Sequence, residues 1–505
     1  MTGAPTEACA TAGRPDPAPA RTGRTLLALA VAGMVVSVQQ TLVLPLLPQL
    51  MRAFDAPITD VTWVFTASLL AGAVATPLLS RFGDLYGKKR MIMLALVLLL
   101  AGSVVCAVSG SLAVLIAGRA MQGVSSAMIP LAIGMIRDTF PRDRITTAIG
   151  IVSATMGVGG SAGMIVTGLI AAHTSSHHPV FWIAAALSAA GLVLVGAAAR
   201  DVGARPGGRP DLAGAALLAG WLLCLLLGIS QGNAWGWTSR GVLGFFAAAA
   251  ALCAVWVAVE RRVRAPLVRL SLLAGPRSLS ANAASALLGF SMFAAFTLIA
   301  GFVQARPADV GYGLSGSVLD VGLYMLPSTV TMLVFSTLAG PIAARVGPAF
   351  TLAVGSAFAG LCYGWLAVSN SHGYDMLAFS AIQGVGFGIA YAALGTLAVQ
   401  HVPMDQSGIA SGVNSLVRVT GGSIAGAVTA SILAGQVVAG TEMPALGAYE
   451  LCFWIVAAGA VLASAVAVGH GLRHPDSPSL RPGRAATRLD DAATSLDERA
   501  LRRAL

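Results

Sequence analysis

Fourteen stretches of about twenty residues, nearly free of charge, follow one another down the chain and leave little room for anything else. They lie near 26–48, 62–82, 91–109, 112–135, 146–170, 180–199, 212–231, 241–260, 281–303, 317–339, 350–369, 376–400, 407–433 and 450–470. About 20 apolar residues in a helix rising 1.5 Å each cross a hydrocarbon core of about 30 Å. That core holds no water to satisfy peptide groups, so each stretch must bond within itself as a helix. Only 10% of the 505 residues are charged, against about a quarter in a soluble domain, too few to cover a water-exposed surface. The sequence therefore predicts an all-α polytopic membrane protein. Its first stretch is too long for a cleaved signal peptide, lacks an A-x-A-like exit and runs on into a hairpin.

A net charge of +10 can serve nucleic acid, but its placement here points to the membrane. With the N-terminus set in the cytoplasm, 26 of the 31 Lys and Arg fall in tails and loops on that side. Arg52, Arg240 and Arg306 fall outside, and Arg119 and Arg418 lie within spans. This positive-inside asymmetry predicts that both termini are cytoplasmic and that the chain is a multi-pass protein of the cell membrane. The bilayer is the expected partner and nucleic acid is not. Five of the six cysteines fall in spans, Cys9 lies in the tail, and there is no C-x-x-C. They read as small apolar residues, and His173, His177 and His178 as a solvated outer loop, so neither a metal nor a cofactor is expected.

The two halves of the chain repeat each other. "FPRDRITTAIG" (140–150) resembles "VPMDQSGIASG" (402–412), pairing Pro141 with Pro403, Asp143 with Asp405 and Gly150 with Gly412. "GGSAG" (159–163) pairs with "GGSIAG" (421–426), "RAMQGV" (119–124) with "SAIQGV" (380–385), and "SRFGDLYG" (80–87) more weakly with "GPIAARVG" (340–347). Each pair joins helices 2–5 to helices 10–13 in the same orientation. That predicts a six-helix bundle over 26–200, a linker with two extra membrane helices over 201–278, and a second bundle over 279–472. Disordered cytoplasmic tails are expected at 1–25 and 473–505. Parallel six-helix repeats with a site between them are a secondary-transporter arrangement.

"SRFGDLYGKKR" (80–90) carries Asp84, Gly87, Lys88 and Lys89. Its glycines at 83 and 87 suit a tight turn, and its carboxylate can cap a nearby helix N-terminus. It resembles the signature loop of the major facilitator superfamily, with Ser80 at the place of the usual first glycine. "LIAGRAMQGVSSA" (115–127) resembles that family's second motif, with Arg119, Gln122 and Gly123 in place. Arg418, in "SGVNSLVRVTGG" (411–422), matches an arginine frequent in fourteen-helix drug:proton antiporters, the members that the whole chain resembles best. The resemblance implies a major facilitator fold, an 80s loop that locks the inner side shut, and a small-molecule export function. Abundant Ala, Gly and Arg with only two lysines is an actinobacterial composition, and such permeases there often export antibiotics.

Two departures from that family bear on mechanism. Helix 5 reads "GMIVTG" (163–168) in place of G-P-x-x-G-G, so the bend loses its proline. Helix 1 reads "VQQTLVLPLLP" (38–48), which puts Gln39 where the antiporters carry an aspartate implicated in proton coupling and Leu44 where they carry an asparagine. Counting 1.5 Å per residue, Gln39 and Arg119 each lie about 20 Å from the inner edge. Gln39 can then accept a hydrogen bond from Arg119, but an amide cannot bind and release a proton. Pro45 and Pro48 are expected to loosen the outer end of this helix. Asp320, one turn into helix 10, becomes the alternative proton site, with Glu450 and Asp84 behind it.

"GDLYGKK" lacks the spacing and hydroxyl of a phosphate-binding loop, and no H-E-x-x-H or G-x-S-x-G occurs, so neither a pump nor an enzyme is indicated. The expected protein is an export permease, a monomer, alternating between two bundles and exchanging its substrate for protons. An uncoupled facilitator or a non-transporting sensor has the same fold. Helices 1, 4, 5, 9, 10 and 13 should line an apolar cavity whose polar points are Gln39, Gln40, Arg119, Gln122, Gln383, Asn414 and Arg418. Two fixed cations and almost no central acid favour a neutral or anionic substrate over a dication.

Overall fold

The computed structural model describes residues 19–474 apart from 44–45, 142–143, 175, 200–210, 264–265, 267–269, 271–274, 401, 403–405, 439–440 and 442. Among the described residues, 14 helices are long and apolar enough to cross a membrane. They are α1 (Thr22–Thr41), α2 (Trp63–Tyr86), α3 (Lys88–Ala107), α4 (Leu112–Thr139), α5 (Ile145–Ile170), α6 (His178–Ala198) and α7 (Leu212–Gly232). The series continues with α8 (Arg240–Glu260), α9 (Arg277–Gln304), α10 (Leu319–Val346), α11 (Pro348–Val368), α12 (Gly373–Gln400), α13 (Ser407–Gly435) and α14 (Leu446–Arg473). Outward-facing Val193, Leu243, Leu361 and Leu472 are exposed, as residues bathed by acyl chains must be. Both predicted tails fall largely outside the described residues, as do Asp143, Pro403 and Asp405 of the repeat.

The sequence repeat reappears in the packing. α1 packs on α5 and α6, α2 on α4, and α3 on α4 and α6. α9 packs on α13 and α14, α10 on α12, and α11 on α12 and α14, which is the same pairing one repeat later. The matched Gln-Gly pairs show why. A β-carbon on Gly123 would run into the Ser68 backbone carbonyl of α2, and one on Gly384 into the Ser328 carbonyl of α10, so each glycine lets two backbones touch. The turns after α2 and α10 match as well. Gly87 (φ 108°) and Gly347 (φ 87°) occupy a backbone region closed to other residues.

The two sets of helices meet along two seams. α5 lies against α10 and α12, and α2 and α4 lie against α13. α7 pairs with α8 and also touches both α2 and α13.

Three of the departures from the expected helices bear on the site. α1 ends at Thr41 instead of near 48, and a separate short helix, Leu47–Phe54, follows. In the sequence Pro45 has no N–H to offer the Thr41 carbonyl, which favours a stop here, and Pro48 sits in the first turn of the next helix, where proline is tolerated. α4 is broken by a 3₁₀ turn at Val124–Ala127, four residues ahead of the missing N–H of Pro130. Gly83 makes no turn. It lies inside α2, packed on Leu131 of α4, and Gly87 alone reverses the chain.

Candidate functional site

A cavity of about 600 Å³ opens between α1, α2, α5, α7, α9 and α13. It falls within the range that holds a drug-sized ligand. Phe65, Met156, Ile229 and Phe293 give its walls their apolar character, and Gln40, Thr66, Ser230 and Ser423 add polar points. None of the lining residues is charged. They come from the middle of the helices and the half away from Asp84. α4 and α10 contribute nothing to the lining, contrary to expectation, and α2 and α7 take their places. The reason is the packing: α4 is drawn onto α2 through Gly123, and α10 is closed onto α5, where Ser161 Oγ and Thr329 Oγ1 stand 2.6 Å apart.

Gln40 is the one expected polar point that faces this cavity, and its Nε2 donates to Ser126 Oγ at 3.4 Å. Gln39, next in the chain, turns the other way. Its side chain is buried, and among the described residues neither Nε2 nor Oε1 finds a hydrogen-bond partner.

Arg119 is fully buried away from the cavity. Its Nη1 donates to the backbone carbonyl of Gln39 at 3.1 Å and to Gln122 Oε1 at 2.9 Å, and its Nε donates to the Val64 carbonyl at 3.1 Å. The early end of α1 explains the first of these bonds. A helix leaves its last carbonyls without internal donors, and a cation there also meets the negative end of the helix dipole. The two residues do share a depth, as expected, but the bond uses the Gln39 backbone and not its amide. Gln122 passes the network on, donating from Nε2 to Ser103 Oγ at 2.9 Å.

The matching places in the second bundle hold neutral groups. Gln383 Oε1 accepts from Ser328 Oγ at 3.3 Å, and its Nε2 donates to Tyr363 Oη at 3.4 Å. Asn414 Oδ1 accepts from Ser285 Oγ at 3.2 Å, and its Nδ2 donates to Asn282 Oδ1 at 3.2 Å. Arg418 lies one residue from cavity-lining Val419. It donates to Ser415 Oγ at 2.7 Å, and its guanidinium carbon sits 5.0 Å from the centre of the Tyr391 ring. Tyr391 Oη in turn donates to the sulfur of cavity-lining Met292. Arg418 is therefore just beneath the cavity surface. No carboxylate among the described residues is within ion-pair distance of Arg119 or Arg418.

The opposite half is closed at the Asp84 end. Asp84 Oδ1 and Oδ2 accept the backbone N–H groups of Gly408 and Ile409 at 3.0 and 2.9 Å, in the first turn of α13. Gln406, the residue that begins that helix, supplies no side-chain cap of its own. Lys88 Nζ joins Asp84 at 3.1 Å to Asp138 at 2.6 Å, and Arg137 donates to the Val402 carbonyl across the same seam. Lys89 turns aside and donates to the Gly196 carbonyl at 2.8 Å, near the end of α6.

Asp320 occupies no interior position. It forms a capping box at the start of α10, its Oδ2 accepting Ser317 N–H at 2.7 Å and Ser317 Oγ–H at 2.8 Å. That is helix-start chemistry, and it corrects the expectation of a carboxylate set inside the span. His177 corrects another: it is buried, its ring tilted against His178 and Phe54 with centres 4.2 and 5.3 Å away, so this loop is not simply solvated. Among the described residues no group of three or more metal-binding side chains forms.

Sequence reasoning missed Asp138, whose signal was an acid ending α4 at the level of Lys88. It placed α7 as a span but missed its place in the cavity lining, where the only cue was the polar run Ser230–Gln231 near the end of an apolar helix.

A model of the Major Facilitator Superfamily matches residues 29–427. The sequence is 30% identical over 432 residues to the tetracenomycin C resistance and export protein of Streptomyces glaucescens, covering 84% of this chain and 77% of that one. It is 28% identical over 431 residues to the lincomycin resistance protein of Streptomyces lincolnensis, covering 85% and 88%. The crystal structure of the human organic anion transporter MFSD10 superimposes with a TM-score of 0.64 over 88% of this chain and 99% of that one. At 15% identity this last likeness shows the fold.

Proposed function

The chain belongs to the Major Facilitator Superfamily, and from that premise we propose that it is a drug-export permease of the plasma membrane that carries uncharged or anionic amphipathic molecules by alternating access. The relatives named for export and resistance support the export direction. In this reading the Asp84 end faces the cytoplasm, since 26 of the 31 basic residues belong there, so the conformation is shut inside and hollow outside. The observation that carries the reading is the uncharged cavity: a dication placed there meets no counter-ion, and Arg418 lies just beneath its surface.

The driving ion in this reading is the proton, and Asp84 is the group whose protonation releases the inner seam. A proton on that carboxylate removes the charge that holds the first turn of α13, so protonation and opening of the inner end are linked. A second reading, a facilitator that uses no protons, is favoured by Gln39 standing in the acidic place of helix 1 and by the absence of a carboxylate from the cavity lining.

Inside-out vesicles with an acid interior separate the two. Addition of an exported antibiotic or dye collapses the pH gradient if exchange is with protons, and Asp84→Asn abolishes that collapse. Substrate movement with the gradient intact selects the facilitator. Absence of both movement and collapse across a broad panel overturns export.

A further inference from the structure

Resting on the cavity being the substrate site, we infer that α7, one of the two helices inserted between the bundles, forms a wall of that site and sets its selectivity. Leu218, Leu222, Leu226 and Ile229 are buried and follow one another at helical spacing, which makes one continuous stripe along α7. Toward the Asp84 end the stripe joins a single apolar cluster with Leu70 and Ala73 of α2 and Ile409, Val413 and Leu416 of α13. Toward the far end the same stripe becomes cavity surface through Leu226 and Ile229, and Ser230 lines the same wall.

The two seams are thus sealed differently. On one side α5 meets α10 directly, through Ser161–Thr329 at 2.6 Å and the packing of Gly322 on Ile165. On the other side α7 lies against both α2 and α13 at the level where those two helices line the cavity. Two six-helix bundles alone would leave that side without Leu226, Ile229 and Ser230. With α7 present, the volume at 226 and 229 fixes the width of the site in one direction, and Ser230 is the polar group which that wall offers. A change of one methylene in an apolar pocket shifts discrimination by about 10-fold or more.

The test uses the full chain in proteoliposomes and a series of uncharged probes, the N-ethyl, N-butyl, N-hexyl and N-octyl dansylamides. Ile229→Ala is expected to move the transport optimum toward longer chains and Ile229→Trp toward shorter ones, each by about 10-fold in relative rate. Val255→Ala, on the exposed face of α8, is expected to leave the order unchanged. An unchanged order in both Ile229 variants overturns the assignment. If the wild type moves none of the series, the export reading is the one that suffers, and labelling decides on α7 without any substrate. In a chain whose six native cysteines are alanine, Ser230→Cys should react with a membrane-impermeant maleimide and Val255→Cys should not. Protection of Ser230→Cys from the reagent overturns the inference.

Discussion

Asp84 and Gly408 stand 324 positions apart in the chain, yet the carboxylate of one accepts the backbone N–H of the other at 3.0 Å. A β-carbon at 408 would lie 2.6 Å from that same oxygen, so Gly408→Ala must push the carboxylate away. A buried charge at a helix N-terminus is worth about 1–2 kcal/mol, or roughly 5- to 30-fold in a two-state population. Asp84→Asn and Gly408→Ala should therefore both shift the protein toward an open Asp84 end. Spin labels on exposed Arg90 and Arg345 report it as a longer or broader distance distribution. An unchanged distribution in both variants would mean that the seam is held by something other than this contact.

Lys88 lies between two carboxylates, 3.1 Å from Asp84 and 2.6 Å from Asp138, and only 7% of its side chain is exposed. Its removal takes away the ammonium that bridges buried Asp84 and partly buried Asp138, and breaking such a pair costs about 3–5 kcal/mol. Lys88→Ala should lower the melting temperature in detergent far more than Asp138→Asn. Lys88→Met combined with Asp138→Asn should recover much of the loss. No recovery would show that Lys88 acts through its length and not its charge.

Arg119 is placed as a clamp between the end of α1 and the start of α2, through the Gln39 and Val64 carbonyls. Arg119→Ala strands those carbonyls and Gln122, at a cost of about 1–3 kcal/mol for each unpaired buried group. Arg119→Lys keeps the charge but loses the fork that reaches several acceptors, so it should rescue little. Affinities for neutral and anionic substrates should fall by the same factor, as binding assays at one temperature can read. A selective loss of anion binding would put Arg119 in the substrate path after all.

The spans and the repeat were legible because both follow from local chemistry: apolar runs of membrane length, and Gln-Gly pairs that let backbones touch. What faces the cavity was not legible. In a soluble helix, polar residues mark the wet face, but here acyl chains and the bundle interior are both apolar, so periodicity does not tell them apart. Gln39 and Gln40 show the consequence, being about 100° apart on one turn with only the second in the cavity. The proline at 45 was a readable stop signal, and stopping α1 at Thr41 is what exposes the carbonyl that Arg119 takes. The place of α7 had only the polar run Ser230–Gln231 to mark it, because a helix absent from the repeat has no counterpart to locate it.

The same pair of glutamines yields the sharpest expectation. Neither side-chain amide atom of Gln39 finds a partner among the described residues, and its carbonyl serves Arg119 whatever the side chain is. Replacing a buried, unpaired polar group by an apolar one of similar size removes a penalty of about 1–3 kcal/mol. Gln39→Leu should therefore leave transport intact and hold or raise the melting temperature. Gln40→Leu should do the reverse: stability close to wild type, because the bond to Ser126 is long at 3.4 Å, but altered substrate preference, because a polar point of the cavity is gone. Thermal unfolding and a substrate panel on the two variants decide the matter. A drop of several degrees in Gln39→Leu would mean that its amide does hold a partner, such as a buried water, and that helix 1 keeps a polar function at Gln39.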